Sequence, residues 1–175
     1  AHVAEDAARV LQSTELLVDV GDGEERLGFV TELLLDGRRE VLRELHRKDQ
    51  RGVRFVPEDN WHVTLRFLGE ADIDEVEAAL DDALLPACTA RMGQAVDVFH
   101  DRALVVPVQG VDDLAGAVSA ATRDLGEPDR KRFTGHLTVA RVKPNVPTPR
   151  VLGQMVSAEW AVTEIALVQS RLDAS

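Results

Sequence analysis

Cysteine is almost absent from the sequence, and other features of common protein classes are missing with it. The single thiol, Cys88, permits no internal disulfide and belongs to no cluster of metal ligands. No apolar run approaches the ~20 residues that a membrane span requires. The first residues, with Glu5 and Asp6, lack the pattern of a secretory signal. We therefore expect a soluble, cytoplasmic protein in a reducing compartment.

Positive charge is also in short supply. Lysine and arginine number 20 against 31 aspartates and glutamates, which gives a net charge of −11. A long nucleic-acid backbone would meet mostly repulsion, so we do not expect extended duplex nucleic acid as a partner. The cations nevertheless concentrate around two histidine-containing segments, which favours a small or terminal phosphate as ligand; solvated loop charges are the alternative. These cations are Arg51, Arg54, Arg66, Arg130, Lys131, Arg132, Arg141 and Lys143.

Strand-like and helix-like patterns alternate along the 175 residues, without the strict strand-helix-strand rhythm or the glycine fingerprint of a dinucleotide-binding fold. The pattern predicts an α+β protein with the element order ββαββαββαβαβ. No low-complexity segment or long linker divides the chain. Strands are predicted at Leu27–Leu35, Trp61–Leu68, His136–Val142 and Trp160–Val168, and helices at Ala4–Leu11, from the cap Asp36 to near Gly52, and at Ile73–Leu85, Val111–Leu125 and Arg150–Val156.

Two segments repeat one pattern, a histidine and a threonine separated by one apolar residue. They are His62–Leu65 and His136–Val139. On a strand, alternate side chains share a face, so each histidine lies beside its threonine while the apolar residues face the core. The same alternation predicts that Arg66 shares the face of His62 and that Phe67 points into the core. Each segment thus presents an imidazole next to a hydroxyl.

Two imidazoles that flank one cleft form an acid–base pair. The reference pKa of histidine, about 6.5, lets one neutral ring activate water while the other, protonated, donates to a leaving oxygen. The threonine hydroxyls can donate to phosphate oxygens. One His-x-Thr alone is weak evidence, because threonine favours strands and a lone histidine is usually a surface or core residue. Two copies in matching context predict a phosphoesterase site that needs no metal, without telling which histidine is the acid.

The two segments and their flanks, Asn60–Gly69 and Phe133–Arg141, resemble the two motifs of the two-histidine (2H) phosphoesterase superfamily. The resemblance is to its RNA 2′,3′-cyclic phosphodiesterase branch, also called 2′-5′ RNA ligase-like. It implies a bilobal α+β fold in which two antiparallel-rich sheets and flanking helices surround a central cleft. Residues 26–175 would form this single domain, and residues 1–25 would be an extension with an added helix and strand. No cofactor or metal is implied.

The resemblance also implies an activity and its residues. His62 and His136 would hydrolyse a 2′,3′-cyclic phosphate at an RNA end to a 2′-phosphate, with 2′-5′ ligation of RNA as the reverse reaction. Thr64, Thr138 and Arg141 would bind the phosphate. Simple alternation turns Arg141 away from His136, so a bulge or the strand end must reconcile its position.

Other features of the sequence leave alternatives open. Phe133 is a candidate for stacking on a base, with core packing as the alternative. Trp61 is assigned to the core. The substrate could instead be a small cyclic nucleotide or a sugar phosphate, and a non-catalytic protein that binds nucleotides or RNA ends is a third interpretation.

The sequence departs from the family pattern in several places. Gly135 stands where the family usually has proline, which predicts a looser approach to His136. The first strand, around Gly28–Leu35, is only loosely family-like. Relatives commonly continue into one more strand at the C-terminus, and we expect Leu16–Val20 to supply a replacement strand beside Leu27–Leu33.

Overall fold

The structure is a computed structural model that describes residues 9–17, 27–33, 39–100, 102–129 and 131–171. Within these ranges the chain forms ten strands, three helices and one 3₁₀ turn, which confirms the α+β class. The strands are β1 (Arg9–Leu17), β2 (Leu27–Leu33), β3 (Val53–Phe55), β4 (Val63–Gly69), β5 (Cys88–Met92), β6 (Asp97–Phe99), β7 (Ala103–Gln109), β8 (His136–Val142), β9 (Ala158–Val162) and β10 (Glu164–Arg171); the helices are α1 (Arg39–Arg43), α2 (Ile73–Asp81) and α3 (Asp112–Ala121), and the 3₁₀ turn is Glu58–Asn60.

The strands form one curled sheet in the order β1-β10-β2-β4-β8-β7-β5-β9, with β3 paired to β8 and β6 paired to β7. Only the β1–β10 pair among these is parallel. The two motif strands, β4 and β8, are neighbours at the centre, and they pair through Val63 and Leu137. Both side chains are 0% exposed, and burying each one contributes roughly 1.5–3 kcal/mol. The motif strands are therefore anchored by the apolar residues that alternation predicts.

The helices are shorter than the sequence predicts. α2 begins after Asp72, whose side chain accepts hydrogen bonds from the backbone N–H groups of Asp74 and Glu75 at 3.0 and 3.2 Å. α1 covers only part of the predicted second helix, whose cap, Asp36, lies outside the described residues. No helix in the described part of the chain is long and apolar enough to cross a membrane.

The helix predicted at Arg150–Val156 is wrong. The segment forms turns, with Gln154 N–H donating to Val151 O at 3.1 Å, and its backbone also bonds to residues 94–96: Gly153 N–H donates to Val96 O at 2.8 Å, and Val156 N–H donates to Gln94 O at 2.9 Å. The predicted strand Trp160–Val168 is likewise divided at Thr163 into β9 and β10, which pair with different partners.

The N-terminal strand occupies a place that the sequence did not predict. β1 pairs with β10, with Arg9 opposite Glu164 and Leu17 opposite Arg171, and not with β2. Both edges of β2 are already used, by β10 and β4. Residues 9–11, expected in a helix, belong to β1; residues 4–8 and 18–20 of the predicted helix and strand lie outside the described residues.

Candidate active site

His62 is positioned by the 3₁₀ turn that precedes β4. The turn closes with a bond from Trp61 N–H to Glu58 O at 3.2 Å, and Trp61 is buried in the core, as predicted. The next residue, His62, is held through Nδ1, which lies 2.9 Å from Asn60 O. A carbonyl oxygen only accepts, so Nδ1 carries the proton and Nε2 is the basic nitrogen of the neutral ring.

His136 has the same arrangement at the start of β8. Its Nδ1 lies 2.7 Å from Thr134 O, again the carbonyl two residues earlier. Nε2 is therefore the basic nitrogen of this ring too, when the ring is neutral. The two histidines share one tautomer and one anchoring contact, which sequence reasoning did not identify because a backbone carbonyl leaves no signature in a motif.

The register of β4 and β8 brings the two motifs together. Because the strands are antiparallel and Val63 lies opposite Leu137, the flanking positions pair crosswise: His62 falls beside Thr138, and Thr64 beside His136. All four side chains are half-buried, whereas the two apolar partners are fully buried on the other face. Two imidazoles and two hydroxyls thus surround one small area at the centre of the sheet.

The environment of His62 changes its acidity. Burial lowers its pKa below the usual value, and the hydrogen bond to Asn60 O opposes this effect only in part. The positive charges of His136 and Arg141 lower the pKa further. At neutral pH His62 is therefore a neutral ring, able to accept a proton at Nε2.

A β-bulge in β8 reconciles the position of Arg141. Leu104 of β7 pairs with Ala140 and Val105 pairs with Thr138, so Val139 is the extra residue. The bulge reverses the alternation that follows it. Arg141 is consequently exposed on the face of His136 and Thr138, where a phosphate ligand would have to be.

A second bulge, at the equivalent position of β4, corrects two predictions. Thr31 of β2 pairs with Arg66 and Glu32 pairs with Thr64, which leaves Leu65 as the extra residue. Arg66 is therefore turned away from Thr64 and is only 3% exposed, while Phe67 is 47% exposed. Phe67 holds the place in the first motif that Arg141 holds in the second.

Arg66 has a structural task at the end of α3. Its guanidinium donates to Ser119 O at 3.1 Å, to Thr122 Oγ1 at 2.5 Å, and to Leu125 O and Glu127 O at 3.3 and 3.2 Å. These groups lie in or just after the last turn of α3, where carbonyl oxygens lack partners within the helix and a cation is favourable. The arginine fastens β4 to α3 and does not belong to the cleft.

Phe99, which the sequence analysis did not single out, is an aromatic residue beside His136. Phe133 is half-buried and packs against the hydrophobic core, which was its alternative assignment. Phe99, at the end of β6, stacks on the His136 ring with 4.4 Å between centroids and 26° between planes. Phe99 pairs with Ala103 of β7, and Ala103 in turn lies opposite Arg141 of β8. Alternation along the β6–β7 hairpin was therefore the signal that could have placed Phe99 on the face of Arg141.

Gly135 holds the approach to His136 close to β7. A Cβ atom at this position would lie 2.3 Å from Val108 O, and Val108 N–H donates to Gly135 O at 2.9 Å. The glycine therefore allows a tight backbone contact, and the looser approach predicted from the sequence is wrong. Within the described ranges, no group of three or more His, Cys, Asp or Glu side chains could hold a metal ion.

The curled, mostly antiparallel sheet with few helices matches the LigT-like 2H phosphoesterase fold. The family model of the 2′-5′ RNA ligase superfamily matches residues 36–174. The chain therefore belongs to the 2′-5′ RNA ligase superfamily, whose members are of the ligase and cyclic phosphodiesterase type. No curated protein matches the sequence.

Solved structures share the fold. TT0787 of Thermus thermophilus has a TM-score of 0.65 at 23% identity, with 80% of this chain and 86% of that chain covered. E. coli LigT complexed with 3′-AMP has a TM-score of 0.62 at 22% identity, with 82% and 87% covered. The MHV ns2 PDE domain has a TM-score of 0.52 at 17% identity, with 82% and 99% covered.

Proposed function

We propose that the protein hydrolyses a 2′,3′-cyclic phosphate at an RNA end to a 2′-phosphate, using His62 and His136 as base and acid and no metal. The observation that carries the proposal is the repeated contact of each Nδ1 with a carbonyl, on adjacent strands that share one face. The structurally similar LigT has been solved with 3′-AMP, ATP and NADP⁺, which are nucleotides with phosphate groups.

The lowered pKa of His62 supports this residue as the base. Its neutral Nε2 takes a proton from water, the water oxygen attacks the phosphorus, and the bond from phosphorus to O3′ breaks. His136, protonated at Nε2, gives its proton to the departing O3′, so the product keeps the phosphate on O2′. Each proton transfer contributes roughly 10²- to 10⁴-fold in rate.

The remaining side chains bind the phosphate and the nucleoside. Thr64 and Thr138 donate their hydroxyls to the non-bridging oxygens, and the Arg141 guanidinium stabilises the negative charge that develops there. Phe67, exposed on the same face, offers a surface on which a base can stack.

The test is hydrolysis of RNA with a 2′,3′-cyclic phosphate, in excess chelator, by the wild type, His62→Ala and His136→Ala. We expect the wild type to be active and each variant to lose about 10²-fold or more in kcat. The control is His46→Ala, because the His46 side chain is exposed outside the site. Full activity of either site variant would refute the acid–base pair, and loss of wild-type activity in chelator would indicate a metal.

A further inference from the structure

The hydrogen bond to Thr134 O holds the His136 ring at one edge, through Nδ1. Such a bond sets the direction of that edge, but the plane of the ring can still tilt about the line that joins the two atoms. The side chain is only half-buried, so its surroundings do not enclose it on every side. A tilt of the plane would displace Nε2 at the opposite edge. The position of Nε2 therefore depends on what contacts the faces of the ring.

Phe99 lies against one face of the His136 ring. The ring centroids are 4.4 Å apart and the planes differ by 26°, which is a stacked arrangement at the short end of the range for aromatic pairs. A stack of this kind contacts the face of the imidazole and leaves its edges uncovered. Both ring nitrogens lie on the edge, so the stack restrains the plane without competing for either nitrogen.

The position of Phe99 is determined by the same sheet that carries His136. Phe99 pairs with Ala103 of β7, and β7 pairs with β8. The turn that follows closes with Arg102 N–H donating to Phe99 O at 3.4 Å, and Val142 N–H of β8 donates to Arg102 O at 2.8 Å. The His100 ring makes a T-shaped contact with the Phe99 ring, with 4.2 Å between centroids. The aromatic ring thus has a defined place beside the start of β8.

We propose that Phe99 is a positioning residue, which fixes the plane of the His136 ring and so directs Nε2 at the departing O3′. The inference rests on the proposed function, in which His136 protonates this oxygen. Proton transfer requires the donor within hydrogen-bond reach of the acceptor, and a small misplacement of a reacting group lowers the rate strongly. The proposed phosphate ligands Thr64, Thr138 and Arg141 do not depend on the stack. Loss of the stack should therefore affect the chemical step and not the binding of substrate.

The kinetic test replaces Phe99 with leucine, which is apolar but has no flat face, and with tyrosine, which keeps the ring. With a 2′,3′-cyclic mononucleotide as substrate, we expect Phe99→Leu to lower kcat about tenfold or more and to change KM less than about twofold. Phe99→Tyr should keep kcat within about twofold of the wild type. An unchanged kcat in Phe99→Leu would overturn the inference. A raised KM with unchanged kcat would show instead that Phe99 contacts the substrate.

A spectroscopic test reports the stack without any reaction. Ring protons of His136 lie over the face of the Phe99 ring, whose ring current shifts their NMR signals upfield, and His136→Ala identifies these signals by their loss. We expect the signals to move downfield in Phe99→Leu and to stay upfield in Phe99→Tyr. Signals that are the same in all three proteins would mean that Phe99 does not hold the ring.

The matched control is Phe55→Leu, which makes the same change at a half-buried phenylalanine of β3 that packs against the core. We expect it to leave both kcat and the His136 signals as in the wild type, and an equal loss of kcat in the control would overturn the inference. The two proposals fail separately. A wild type that hydrolyses no cyclic phosphate refutes the proposed function and this inference with it. An active wild type that tolerates Phe99→Leu refutes only the role of Phe99.

Discussion

At the scale of single residues, the two histidines are alike in their anchoring and unlike in their surroundings. Each Nδ1 contacts the carbonyl two residues earlier, so one small piece of backbone geometry fixes both tautomers. Burial and two nearby cations act on His62 and lower its pKa. Two similar motifs therefore place their histidines in different electrostatic surroundings.

The pH dependence of kcat/KM tests this difference. If His62 is the base, its protonation abolishes activity, so the acidic limb should report an apparent pKa below the reference value of about 6.5. The sign follows from the shift: a lowered pKa keeps the ring neutral, and active, down to a lower pH. His136→Ala should retain this limb in its residual activity, whereas His62→Ala should lose it. An alkaline limb that disappears with His62 would reverse the two roles.

At the scale of secondary-structure elements, the two bulges explain where strand alternation succeeded and where it failed. Alternation correctly predicted the buried Val63 and Leu137 and the half-buried threonines, because these residues precede the bulges. It failed at Arg66 and Phe67, which follow one. A bulge depends on how the neighbouring strand pairs, and that partner is distant in the sequence, so local periodicity does not reveal it.

The position of Arg66 gives a second prediction. Replacing Arg66 with methionine leaves Thr122 Oγ1 and several carbonyls after α3 without their donor, so the free energy of unfolding should fall by about 3 kcal/mol. The kcat of the folded fraction should change little, because the side chain points away from the cleft. Urea unfolding measures the first quantity and steady-state hydrolysis the second. The control is Arg91→Met, which removes only an exposed ion pair with Glu159 and should cost about 1 kcal/mol or less. A large loss of kcat with unchanged stability would return Arg66 to the active site.

At the scale of the whole molecule, the fold joins segments that lie far apart in the chain. The α+β class and the two motif strands follow from local patterns, because periodicity and the repeated His-x-Thr are properties of short segments. The pairing of β1 with β10 and of β5 with β9 does not, because it depends on which edges remain open after the centre has formed. The N-terminal strand was expected beside β2 for the same reason. Local patterns do not reveal that both edges of β2 are occupied, by β10 and β4.

The last prediction concerns the edge that β1 covers. Replacing Leu11 and Gln12 with two consecutive prolines removes two backbone N–H donors. Because adjacent N–H groups of a strand point to opposite sides, one of the two must point toward β10. Opening this pairing exposes the backbone of β10, so we expect a lower melting temperature and self-association through the freed edge. Thermal unfolding and light scattering coupled to gel filtration measure the two effects. The control replaces the same residues with the strand-favouring pair Leu11→Val/Gln12→Thr. A proline variant with the oligomeric state and the stability of the control would mean that β1 contributes nothing to closing the sheet.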